Sequence, residues 1–162
     1  MHGNLIPVWD RTMQVIEKLY QMGYRRFLCG GATGFDTLAA SCVREFRRSF
    51  PDAELVLALP CENQTRGWRP SDKALYEELR QEADQVIVLS PAYYTGCMLV
   101  RDRFMVDHAD RCIAYMRQAV GGTAYTVKYA IRSGLPILNL AVEDEVRRFL
   151  TEEEAGDSEL PF

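Results

Sequence analysis

Twice in this chain an apolar run of strand length breaks into adjacent glycines and then into a segment with helical spacing. Tyr24 to Cys29 runs into Gly30-Gly31-Ala32-Thr33-Gly34-Phe35-Asp36, after which Leu38, Ala39, Cys42, Val43 and Phe46 mark one face of a helix ending before Pro51. Asp110 to Met116 leads into Gly121-Gly122-Thr123 and a helix through Arg132, closed by Gly134. A strand that passes through a glycine turn into a helix is the repeating unit of a parallel sheet, because parallel neighbours need a crossover of about a dozen residues.

The rest of the chain keeps the same alternation. Met13, Val15, Ile16, Leu19, Tyr20 and Met22 predict a first helix from Trp9 to Met22, stopped by Gly23. Glu54 to Leu59, closed by Pro60, predicts a buried parallel strand, and residues 61–70 a polar loop. A helix over Ser71 to Glu82, with Ser71 as N-cap, precedes a strand from Gln85 to Leu89. Ser90 to Gly96 reads as loop, Cys97 to His108 as helix and Leu135 to Leu140 as the last strand. The expected architecture is α/β: a Rossmann-like, doubly wound, mainly parallel sheet of about five strands with helices on both faces. A chain of 162 residues that is 48% hydrophobic fits one such domain, over residues 1–150, with 151–162 as an acidic tail.

Composition narrows the function classes. A net charge of -4 with dispersed basic residues argues against non-specific nucleic-acid binding. No apolar stretch approaches the roughly 18 residues of a membrane span, and five cysteines suit a reducing compartment, so a cytoplasmic location without membrane attachment is expected. There is no C-x-x-C, no second ligand pair and no G-x-S-x-G elbow, and the histidines are two, His2 and His108, so neither a metal centre nor a Ser-His-Asp triad is expected. Cys61 and Cys97 each follow a strand end and read either as meeting at the crevice, as a metal pair, a redox pair or a thiol nucleophile, or as packed or semi-exposed thiols, the preferred reading.

The two glycine turns are the candidate site. Backbone N–H groups at the start of a helix, together with its dipole, bind anions, and glycine lets the phosphate approach. Gly30, Gly31, Thr33 and Gly34 form one such cradle, with Asp36 as a cap or a partner for a ribose hydroxyl; Gly121, Gly122, Thr123 and Thr126 form the other. The alternative for each is a tight turn that merely packs its helix. In an open α/β sheet all strands end on one crevice, so the turns are expected to grip opposite sides of one ligand. Arg101 or Arg103 would clamp a phosphate there, unless Arg103 pairs with Asp107 four residues on. Arg66 and Trp68, in the polar loop, read either as a flap over a base or as a pin that holds the loop.

These blocks together resemble the YpsA-like branch of the SLOG superfamily, which is related to the DNA-processing protein DprA and the LOG phosphoribohydrolases. The carriers are Cys29 to Asp36, Pro60-Cys61 with Gln64 and Trp68, Gly96-Cys97-Met98, Arg101 to Asp107, and Gly121 to Val127. The resemblance implies a Rossmannoid fold with a pocket for a nucleotide-derived ligand such as NAD, ADP-ribose or a nucleoside phosphate. It implies a sensor or regulator, with a nucleotide-processing enzyme or an assembly scaffold as alternatives. Two departures stand out. LOG enzymes use an Arg and a Glu; Arg101 matches the first, but the glycine turn continues into Thr126-Val127-Lys128 without the carboxylate, leaving Asp36 or Asp107 as substitutes. The family's first strand also has no counterpart before the first helix: either the chain is shortened or residues 4–8 replace it in part, and a missing strand would favour homo-oligomers.

Overall fold

The computed structural model describes residues 5–152. Helices and strands alternate along the chain: α1 (Leu5–Gln21), β1 (Arg26–Cys29), α2 (Phe35–Arg47), β2 (Glu54–Leu59), α3 (Pro70–Glu82), β3 (Gln85–Val88), α4 (Cys97–Asp107), β4 (Cys112–Ala114), α5 (Gly122–Arg132), β5 (Ile137–Asn139) and α6 (Glu143–Thr151). Every strand pair is parallel. Hydrogen bonding divides the five strands into a three-stranded sheet ordered β1-β2-β3 and a two-stranded sheet of β4 and β5, where the sequence predicted one sheet. β2 is the centre: Cys29 pairs with Leu57 on one side, Leu59 with Val88 on the other, and every β2 residue after Glu54 is buried. No helix among the described residues is long and apolar enough to cross a membrane.

Alternation along β2 builds the core. Leu55, Leu57 and Leu59 point to one face, where they meet Ile16 of α1, Val43 and Phe46 of α2, and Tyr76 and Leu79 of α3. Arg101 and Val106 are buried on α4, which contacts β2 and α5. A second cluster joins Val15 and Leu19 of α1 to Leu138 and Leu140 and to Val146 of α6, with Phe27 and Ile113 packed against it. Phe27 also packs on the first cluster, so it ties the two sheets together.

Several element boundaries differ from the sequence reading. α1 begins at Leu5 rather than Trp9, because Pro7 lies in the first turn, where a missing N–H leaves no intrahelical bond unmade. Residues 5–8 are therefore helical and replace no strand, and among the described residues no strand precedes α1. The N-cap of α3 is Arg69 with Pro70 as the first helical residue, so Ser71 lies inside the helix and caps nothing. β4 is three residues instead of seven, since β5 pairs it over Cys112 to Ala114 alone. α6 lies beyond the last element expected from sequence. Acidic Glu143, Asp144 and Glu145 open it and Arg148 closes it, in accord with the helix dipole, while Val146, Phe149 and Leu150 form its apolar stripe. His2 and most of the acidic segment, residues 153–162, lie outside the described residues.

Candidate anion site at the carboxyl ends of the strands

The first turn is shaped by what lies beneath it. A Cβ at Gly30 would stand 2.8 Å from Asp36 Oδ2 and 2.9 Å from Arg101 Nη1; a Cβ at Gly31, whose φ is +79°, would overlap Leu59 Cδ2 at 2.6 Å. Both positions exclude a side chain. Arg101 is 4% exposed and turned inward: Nη1 donates to the Gly30 carbonyl, and Nε donates to Asp102 Oδ1 at 2.8 Å. Asp36 Oδ2 accepts from the Ala32 N–H at 3.3 Å. Burial pushes the Asp36 carboxyl above the usual carboxylate range, opposed by the Arg101 charge and the Ala32 bond. Arg101 thus braces the turn from below.

The outer side of the turn is open. Thr33 and Gly34 are exposed, and Gly34 (φ +87°) is the N-cap of α2 without any side-chain cap. The first N–H groups of a helix have no intrahelical acceptor. At α2 they are directed past the carboxyl end of β1.

The second turn repeats this geometry with less support. Gly121 (φ +97°) is the uncapped N-cap of α5, and Gly121, Gly122 and Thr123 are all exposed. A Cβ at Gly122 would meet nothing within 4 Å, so packing within the chain does not demand glycine there. Thr126 bonds back to the Gly122 carbonyl at 3.0 Å. The approach to this turn is fixed by Asn139, whose amide both accepts from the Met116 N–H and donates to the Met116 carbonyl at 2.9 Å. A side chain here continues the ladder where β4 has ended. Phe35, next to Gly34, stacks on Tyr115, which follows β4, with ring centroids 6.0 Å apart.

The remaining candidates separate. Arg103 is exposed and lies near Tyr129, in the far half of α5; it forms no pair with Asp107, which accepts instead from the Tyr129 hydroxyl at 2.8 Å. Asp107 ends α4, six residues beyond Arg101, and is engaged by Tyr129 rather than by either glycine turn. Trp68 sets its edge against Tyr76 (5.3 Å) and packs on the core, with Arg66 exposed beside it. Cys61 and Cys97 do meet, as fully buried thiols: burial first, then the neighbouring Cys97, pushes Cys61 up. Among the described residues no three His, Cys, Asp or Glu side chains gather as a metal set.

Four residues without an assigned role in the sequence reading prove structural to the site: Gln64, Tyr76, Asp102 and Asn139. Asn139 carried a signal, a lone amide inside the apolar run Leu135 to Leu140. Two surface depressions, of about 320 and 350 Å³, are lined by Arg44, Arg47, Arg48, Glu82 and Asp84 and by Met22, Gly23, Tyr24 and Asp110. Both lie at the amino ends of the strands, and the charges of the first are already paired. Depth therefore points away from the glycine turns, whereas exposed N–H donors point to them; for an anion, the donors decide.

The family model described as the YspA SLOG family matches residues 9–152. The chain belongs to the YpsA SLOG family. It is 26% identical over 144 residues to the SPbeta prophage-derived protein YoqJ of Bacillus subtilis, an overlap of 81% of this chain and 84% of YoqJ. It is also 29% identical over 100 residues to a UPF0398 protein of Staphylococcus epidermidis and 25% identical over 115 residues to one of Bacillus thuringiensis. Those overlaps take in 60% and 69% of this chain, and the matched parts span 53% and 62% of the UPF0398 proteins. Within this SLOG chain, the position after Thr126-Val127 is the exposed Lys128, so α5 offers no carboxylate to the crevice.

Proposed function

We propose that this protein binds a nucleotide-derived phosphorylated ligand, of the NAD, ADP-ribose or nucleoside-phosphate class, and acts as a sensor or regulator. The observation that carries this reading is that two helices, α2 and α5, each follow a parallel strand and start on an exposed glycine of positive φ with no side-chain cap. Each supplies free N–H donors and the positive end of a helix dipole, so each suits one phosphate of a nucleotide ligand. The open space over Gly122 fits close approach by a ligand better than it fits packing. Arg101, paired with Asp102, contributes by holding the Gly30 carbonyl from beneath the first turn rather than as a direct clamp.

Thermal-shift measurements with NAD, ADP-ribose and nucleoside monophosphates test this. Stabilisation by a member of the panel, abolished by Gly122→Asp through charge repulsion at the second turn, is the expected result. Stabilisation that survives Gly122→Asp would move the site elsewhere, and no stabilisation by any member would refute the reading.

A glycosidase-like activity is the second reading, favoured by one observation: desolvation raises the Asp36 carboxyl beside the first turn, the direction that suits a general acid. Release of a base from a nucleoside monophosphate, lost in Asp36→Asn, would support it.

A further inference from the structure

Beside the first glycine turn the buried Gln64 amide has neither its Nε2 nor its Oε1 in a hydrogen bond among the described residues, and Tyr76, whose hydroxyl faces Gln64 and Arg80, packs next to it. Gln64 is 6% exposed and Tyr76 2%. From the position of a Gly31 Cβ, Gln64 Nε2 is 3.4 Å away and the Tyr76 ring 3.5 Å. A buried amide without partners carries its full desolvation cost, and folded chains keep nearly all such groups satisfied. Finding the Gln64 amide unbonded against Gly31, a backbone position with no side chain and φ at +79°, calls for a state in which the amide is bonded.

The turn can provide that state. Gly31 sits at φ +79° and has no side chain, so the peptides on either side of it rotate at little steric cost. The proposal rests on the ligand reading above. We propose that Gln64 is a positioning residue for the first anion cradle: when a phosphate engages the turn, the Gly31–Ala32 peptide rotates. Its N–H leaves Asp36 Oδ2 to face the phosphate and the Gly31 carbonyl turns down to accept from Gln64 Nε2, while the Gly30 carbonyl stays on Arg101. The amide then holds the turn in its binding form. Free and bound forms thereby differ in a hydrogen bond made by a residue that never touches the ligand.

Gln64→Met tests this, since it keeps the volume and removes the amide. The expected result is a melting temperature at or above that of the wild type in the free protein, together with at least tenfold weaker binding of ADP-ribose by calorimetry. In parallel, the Gln64 side-chain NH2 resonances of the wild type shift and gain protection from hydrogen exchange when ADP-ribose is added, a readout that does not depend on the variant folding. A lower melting temperature in Gln64→Met means the amide is already bonded in the free protein and overturns the proposal. Equal affinity in both proteins, or unchanged Gln64 NH2 signals in a wild type that binds, overturns it while leaving the ligand reading intact. A wild type that binds no ADP-ribose removes this proposal through the ligand reading itself.

Discussion

Replacing Arg101 by Met is the substitution that most directly probes how the first turn is built. The guanidinium is 4% exposed, donates to the Gly30 carbonyl and pairs with Asp102, whose side chain is 16% exposed. Methionine fills similar volume but satisfies neither partner. Removing one member of a buried ion pair costs about 3–5 kcal/mol, a range that includes stranding the partner carboxylate and carbonyl. With a urea m-value of about 2 kcal/mol/M for a domain of this size, the unfolding midpoint falls by about 1.5–2.5 M. The loss also depends on pH. The folded state holds the Asp36 proton more tightly than the unfolded chain, so the contribution of Asp36 is fully present below the ordinary carboxylate pKa of about 3.9 and is lost as pH rises through the folded value. Arg101 opposes that rise, and without it the folded value climbs further; the deficit of Arg101→Met is therefore larger at pH 7.5 than at pH 4.5. Equilibrium urea unfolding of both proteins at the two pH values is the assay. A loss under about 1 kcal/mol, independent of pH, would refute the view that Arg101 braces the turn from below.

Two further outcomes follow from the geometry. Gly31→Ala, with its Cβ 2.6 Å from Leu59 Cδ2 and φ at +79°, costs about 2 kcal/mol or more in chemical unfolding, whereas Gly122→Ala, which meets nothing, stays within about 1 kcal/mol of the wild type. Of the five cysteines, Cys112, the one that is not fully buried, reacts first with a maleimide reagent in the native protein, while Cys42, its thiol pushed up to about 12 by burial, stays unreactive until the chain unfolds, as followed by mass spectrometry.

The sequence made the fold legible wherever pattern and packing coincide. The apolar run from Leu55 to Leu59 and the glycine turns after β1 and before α5 identify a parallel α/β chain, because buried parallel strands and glycine-capped helices leave few other readings. It failed at α6, where five charged residues among nine hide a stripe of only three apolar ones, Val146, Phe149 and Leu150. It also overstated β4, since strand propensity extends past Ala114 but a pairing partner does not. At the site, Gly31, Gly34 and Gly121 were readable because their positive φ demands glycine. The direction of Arg101 was not: local spacing allows it to face either crevice or core, and only the packing of α4 on β2 turns it inward. Gln64 and Tyr76 are twelve residues apart in sequence, and nothing local announces that both end under Gly31.

The central claim, that both glycine turns face one phosphorylated ligand, is tested most directly by amide chemical-shift mapping of the wild-type protein titrated with ADP-ribose. The account predicts that the N–H signals of residues 34–37 at the start of α2 and of residues 121–124 at the start of α5 shift together with one dissociation constant. Shifts confined to the Arg44–Arg48 depression at the other end of the sheet, or at one turn without the other, would contradict it.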